Sequence, residues 1–127
     1  MLATIIAVAS GGAIGAIARL VTVIVSANIF GTRFPYGTLL VNGIGSFLAG
    51  FLLVIIMERF AGSELLRLFL VVGFLGAYTT FSSFSWETWA LHESGEHFLA
   101  CLNVLFNNVV ALGLAFLGIS VGRMVGG

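Results

Sequence analysis

The sequence predicts an all-α membrane protein with four transmembrane helices, the third of them interrupted. Three observations carry this reading. The 127 residues are 60% hydrophobic and 8% charged, whereas a soluble domain is about half apolar and a quarter charged. The apolar residues fall into four runs, each close to the roughly 20 residues that a helix needs to cross a bilayer. Within the third run, Thr79, Thr80, Ser82, Ser83 and Ser85 place five hydroxyls in seven positions. Polar or irregular backbone at membrane depth survives only where it is buried in protein or lines a wet cavity.

Taken in order, the first run covers residues 3–26. It lacks a basic leader and is too long for the apolar part of a signal peptide, so it reads as a retained helix. Gly11 and Gly15 form a GxxxG pair that lets another helix approach closely in lipid. A connection follows that holds the only proline, Pro35, which suits the start of the next helix. The second run covers residues 37–57, with Asn42 its only strongly polar side chain. A polar link containing Gly62 leads to the third run, residues 65–91. A second link, with Gly95, leads to the fourth, residues 98–124. There Gly118, Gly122 and Gly126 repeat the small-residue spacing. The whole chain, 1–127, reads as one four-helix domain.

Composition removes several classes of function. There is no lysine, and five arginines balance five glutamates, so no basic footprint for nucleic acid exists. The single cysteine, Cys101, rules out an internal disulfide and reads as a small apolar filler. The string from His92 to His97 resembles a zinc-protease motif, but HExxH requires histidine where Glu96 stands, and HxxEH requires it where Glu93 stands. No nucleophile–base pair, phosphate loop or carboxylate dyad is present, so an enzyme is not expected. Four crossings put both termini on one side, with Arg59, Arg67 and Arg123, and leave Arg33 on the other. The positive-inside rule then weakly favours cytoplasmic termini.

The polar residues inside the runs carry the chemistry. Arg19 is costly in a membrane and must be paired, solvated or snorkelled to the interface. Asn42 needs hydrogen-bond partners, and Thr38 lies one helical turn before it. Asn107 and Asn108 point about 100° apart, so at least one faces the protein interior. All of these residues are read either as interhelical glue or as part of a polar path. In the third run, Phe81 and Phe84 are three apart and share a helix face, their rings stacked along it. An aromatic edge is positive and can hold a small anion without a competing full charge. Hydroxyls replace part of an anion's water shell. Gly73, Gly76 and the β-branched pair Thr79–Thr80 weaken regular helix just before the serines. Helix breaks at mid-membrane expose carbonyls that coordinate cations. Packing is the plain alternative for the phenylalanines.

These motifs resemble the Fluc (CrcB) family of fluoride channels along essentially the whole chain. The matching residues are Gly11, Gly12, Gly15 and Arg19, then Gly37-Thr38 through Asn42. The most specific match runs from Gly73-Phe74-Leu75-Gly76 through Thr79-Thr80-Phe81-Ser82-Ser83-Phe84-Ser85 to Glu87. The resemblance implies an antiparallel, dual-topology homodimer in the cell inner membrane, with two fluoride pathways at its interface. It implies pathway roles for Phe81 and Phe84, for Asn42, for a hydroxyl track of Thr38, Thr80 and Ser83, and for Glu87 near a pore mouth. It implies a structural sodium ion on the Gly76 and Thr79 carbonyls, and no organic cofactor. Arg19 is given a structural or electrostatic role. Ala111 stands where the family often has serine, and Asn107, one turn earlier, is a candidate replacement donor.

The rival class is a small four-helix, proton-coupled multidrug exporter. It requires a membrane-embedded carboxylate. The first two runs have none, and Glu87 lies near the end of the third. An assembly or scaffold subunit would leave the hydroxyl string without a purpose.

Overall fold

The computed structural model describes residues 1–126 and is wholly helical, with four helical stretches long and apolar enough to cross a membrane. Helix α1 spans Leu2–Phe30 and α2 spans Tyr36–Arg59. The third crossing is composite. It begins as α3 (Glu64–Arg67), widens into a π-helical segment (Leu68–Leu75), tightens again in α4 (Gly76–Tyr78), breaks, and resumes as α5 (Phe81–Glu93). Helix α6 spans His97–Gly126. The helices run past the expected apolar limits because polar end residues such as Asn28, Glu58 and Arg59 continue the backbone ladder. Gly31, at φ 84°, then closes α1, its N–H donating to the Ala27 carbonyl at 2.9 Å. That left-handed conformation suits glycine.

Glycines set how closely the helices lie. A side chain at Gly11 or Gly15 of α1 would collide with the Phe69 and Phe74 carbonyls of the π-helical segment, and one at Gly73 with the Val8 carbonyl. A side chain at Gly118 of α6 would meet the Phe47 carbonyl of α2, and one at Gly50 of α2 the Ala115 carbonyl of α6. Backbone-to-backbone packing of this kind replaces the apolar driving force that lipid removes.

The break divides the third crossing between two partners. Its first half lies on α1, and α5 lies on α6, which in turn packs along α2. One continuous helix could not follow both. Few side chains are fully buried, and one of the largest is Asn103 of α6. Large apolar residues such as Ile17, Leu20, Val109 and Phe116 face outward. That is the pattern of a helix bundle in lipid or against further protein.

Candidate functional site

The break falls at Thr79 and Thr80, which adopt extended conformations with ψ of 158° and 116°. β-Branching disfavours helix at both residues. Gly73 and Gly76 lie before the break, inside helical backbone; Gly73 serves close packing against α1, Gly76 is exposed, and the threonines interrupt the ladder.

Asn42 holds the break from both sides. The Thr80 N–H donates to Asn42 Oδ1 at 2.8 Å, and Asn42 Nδ2 donates to the Thr80 carbonyl at 3.1 Å. Thr80 then caps α5, its Oγ1 accepting from the Ser83 N–H at 3.1 Å, which satisfies one orphan donor of the helix start. These two diversions have a common result. The Thr80 and Ser83 N–H groups are the α-helical donors for the carbonyls of Gly76 and Thr79, four residues earlier. Both are engaged elsewhere. The Gly76 and Thr79 carbonyls are therefore left open, and Gly76 lies on the surface of the chain. Two open, hard oxygen donors per chain fit a cation such as sodium.

Arg19 does not reach for the interface. Its Nε donates to the Ala77 carbonyl at 3.0 Å, so a cation caps the C-terminal end of the broken helix, where the backbone dipole is negative. Arg67–Glu64 is the only ion pair among the described residues, and Arg19 is thus a positive charge compensated by backbone alone.

A polar chain runs inward from Asn42. Asn42 Nδ2 donates to Asn107 Oδ1 at 2.9 Å, and Asn107 Nδ2 donates to the Asn103 carbonyl and to Asn103 Oδ1. Asn103 Nδ2 donates to Thr88 Oγ1 at 2.9 Å. Asn107 is the interior amide of the adjacent pair. Asn108 is exposed and donates to the Val104 carbonyl. With both bonds of its Nδ2 going to Asn103, Asn107 supports Asn42 rather than supplying the free donor expected at the Ala111 level. Asn103 was not singled out from sequence, although its position one turn before Asn107 is a usable signal.

Three hollows follow one another from the break to the end of the bundle. The first, about 310 Å³, is lined by Asn42, Thr79, Thr80, Phe81, Phe84, Asn107 and Ala111, among others. The second, about 210 Å³, has Arg19, Thr38, Thr80, Ser83 and Glu87 on its walls. The third, about 400 Å³, opens between the Gly31–Pro35 connection and the end of α5, and includes Arg33, Thr38 and Glu87. Thr80 borders the first two, and Thr38 and Glu87 border the last two. Glu87 Oε1 is buried with no hydrogen-bond partner. The phenylalanine rings meet edge to face, 5.3 Å apart and tilted by 67°, instead of stacking. Phe84 is 8% exposed, whereas Phe81 is 76% exposed and projects from the bundle.

Residues 6–119 match the family model described as CrcB-like protein, Camphor Resistance (CrcB). The chain belongs to the CrcB family. A relative from Legionella pneumophila (strain Paris), named fluoride-specific ion channel FluC, is 49% identical over 125 residues, covering 98% of this chain and 93% of its own length. A relative of the same name from Sulfurihydrogenibium sp. is 44% identical over 118 residues, covering 93% and 95%. One from Hydrogenovibrio crunogenus, again so named, is 43% identical over 122 residues, covering 94% and 90%. With its four spans, this CrcB chain is a multi-pass membrane protein.

Proposed function

We propose that this chain is a passive fluoride channel that lets fluoride leave the cytoplasm across the cell inner membrane. The observation that carries the proposal is the Asn42-held break, with hydroxyl-lined hollows on both sides, in a chain whose relatives are named fluoride-specific ion channels. Fluoride is small and tightly hydrated. A path for it needs many weak donors in sequence, so that dehydration is offset without trapping the ion. Thr38, Thr80 and Ser83 supply hydroxyls, the rims of Phe81 and Phe84 supply positive edges, and Arg19 biases the region toward anions.

One protomer does not close such a path. Phe81 and Gly76 lie on its outer surface. A second copy in the opposite orientation would bring both against protein, giving an antiparallel homodimer with two pathways. Facing Gly76 and Thr79 carbonyls would then hold a sodium ion. When bound, it supplies fixed positive charge without a titratable side chain. A solved dimer with no cation density between those carbonyls would remove this part of the proposal.

The unpartnered, buried Oε1 of Glu87 favours one second reading, proton-coupled export. Purified protein in liposomes separates the two. A channel releases fluoride down its gradient with no added proton gradient. An exporter moves an organic cation only when a proton gradient is imposed, and that outcome would overturn the fluoride reading.

Dual topology has its own test. Replace Cys101 with serine, introduce Ser94→Cys in the exposed turn before α6, and treat intact cells with an impermeant thiol reagent. The expected result is comparable labelled and protected fractions. A single population, wholly labelled or wholly protected, would show one fixed orientation.

A further inference from the structure

We propose that His92 and His97 form a two-histidine chelate for a tetragonal divalent cation of the copper(II) class, at the turn joining α5 to α6. The site is separate from the break and its hollows. His92 lies in the last turn of α5, and His97 is the first residue of α6. Both are exposed. Their Nδ1 atoms stand 2.9 Å apart, with ring centroids 4.7 Å apart.

The turn fixes this geometry through its backbone. The Ser94 N–H donates to the Ala90 carbonyl at 3.0 Å, Gly95 to His92 at 3.1 Å and Glu96 to Leu91 at 2.8 Å. Gly95, at φ 86°, makes the reversal. Gly95 is thus the residue that turns the two imidazoles toward each other. The frame is ordered before any ligand arrives, so little conformational freedom is lost on binding.

Two imidazole nitrogens this close need a proton or a cation between them. In the free pair, one ring donates and the other accepts. When a metal ion binds, the shared proton moves to Nε2 of its own ring. A rotation of the two exposed rings off the N···N line then turns both Nδ1 lone pairs onto one ion, and no net proton is lost. The 2.9 Å separation is that of the N–H···N hydrogen bond itself, so it shows that the two nitrogens reach one point and the choice of ion rests on ligand chemistry. Two imidazoles with water suit copper(II) and nickel(II), with copper(II) the tighter binder. Among the described residues no third histidine, cysteine, aspartate or glutamate joins the pair, so water completes the coordination.

Trp89 provides the readout. Its ring lies 5.5 Å from that of His92, within range for quenching by a paramagnetic ion. The experiment uses untagged protein carrying Trp86→Phe, which leaves Trp89 as the sole tryptophan, and Cys101→Ser, which removes a thiol able to reduce copper(II). Copper(II) is titrated while Trp89 emission is followed, and the copper(II) electron paramagnetic resonance spectrum is recorded. Saturable quenching with one ion per chain is expected, together with a spectrum showing two nitrogen ligands. Holding the second ligand on one rigid frame strengthens binding by about 10²- to 10⁴-fold. His97→Ala should therefore raise the quenching midpoint roughly 100-fold or more, even though His92 still adjoins Trp89. An unchanged midpoint in His97→Ala, or quenching that never saturates in the parent, would overturn the proposal.

Discussion

Replacing Phe81 or Phe84 with isoleucine is expected to cut fluoride efflux from liposomes roughly 10- to 100-fold while the protein still folds and assembles. The two rings meet edge to face beside Asn42, Thr80 and Asn107. If the rings only filled space, an aliphatic side chain of similar volume would cost under about 1.5 kcal/mol of stability and little flux. If their positive edges meet the ion, isoleucine removes the favourable field and leaves a neutral wall. A hydrogen bond to a charged group is worth about 1.5–3 kcal/mol; a ring edge standing in for such a donor, at ~1.4 kcal/mol per tenfold in rate, gives that range. Phe81 is the sharper test of the two. It is 76% exposed on the protomer, so its loss disturbs little inside one chain. Efflux should be measured beside size-exclusion profiles. Near-parental efflux in both variants would reduce the pair to packing.

The four crossings were legible because apolar runs of spanning length admit few alternatives. The interruption was legible too, since Thr79–Thr80 joins β-branching to a polar string. What the sequence could not reveal were features set by neighbours. The π-helical segment is one: apart from Gly73, Leu68–Leu75 is plain apolar sequence, and its backbone packs against Gly11 and Gly15. Arg19 is another, since snorkelling and inward capping of Ala77 differ only in what lies within reach. Asn103 differs from these: its place one turn before Asn107 was a usable signal, but only the structure shows that it is fully buried and carries the amide chain on to Thr88. The histidine pair failed for a related reason. Motif reading tests spacing along one helix, whereas these rings meet across a turn.

Asn42→Ala is expected to abolish most fluoride efflux and to destabilise the protein by about 2 kcal/mol, taking three interhelical hydrogen bonds at ~0.6 kcal/mol each. The three are those with the Thr80 N–H, the Thr80 carbonyl and Asn107 Oδ1. Both N–H bonds of Asn42 are thereby engaged inside the protomer, so its main task is to hold the break open. Without it, the Thr80 N–H is free to bond the Gly76 carbonyl, and the third crossing can close toward continuous helix. That closure would remove the open carbonyls and shift Phe81 and Ser83 together. Asn42→Asp separates holding from donating. It still accepts from the Thr80 N–H, but it loses both donated bonds and adds a negative charge beside the anion's path, so efflux should fall even where folding persists. Asn103→Ala is the control. It breaks the same amide chain farther from the hollows, and Asn107 Nδ2 keeps its bond to the Asn103 carbonyl. Its loss should therefore appear in stability more than in efflux. The measurements are efflux and resistance to unfolding by a denaturing detergent for all three variants. If Asn42→Ala conducts like the parent, the break does not depend on its amide, and the polar hollows at Thr80 lose their organising residue.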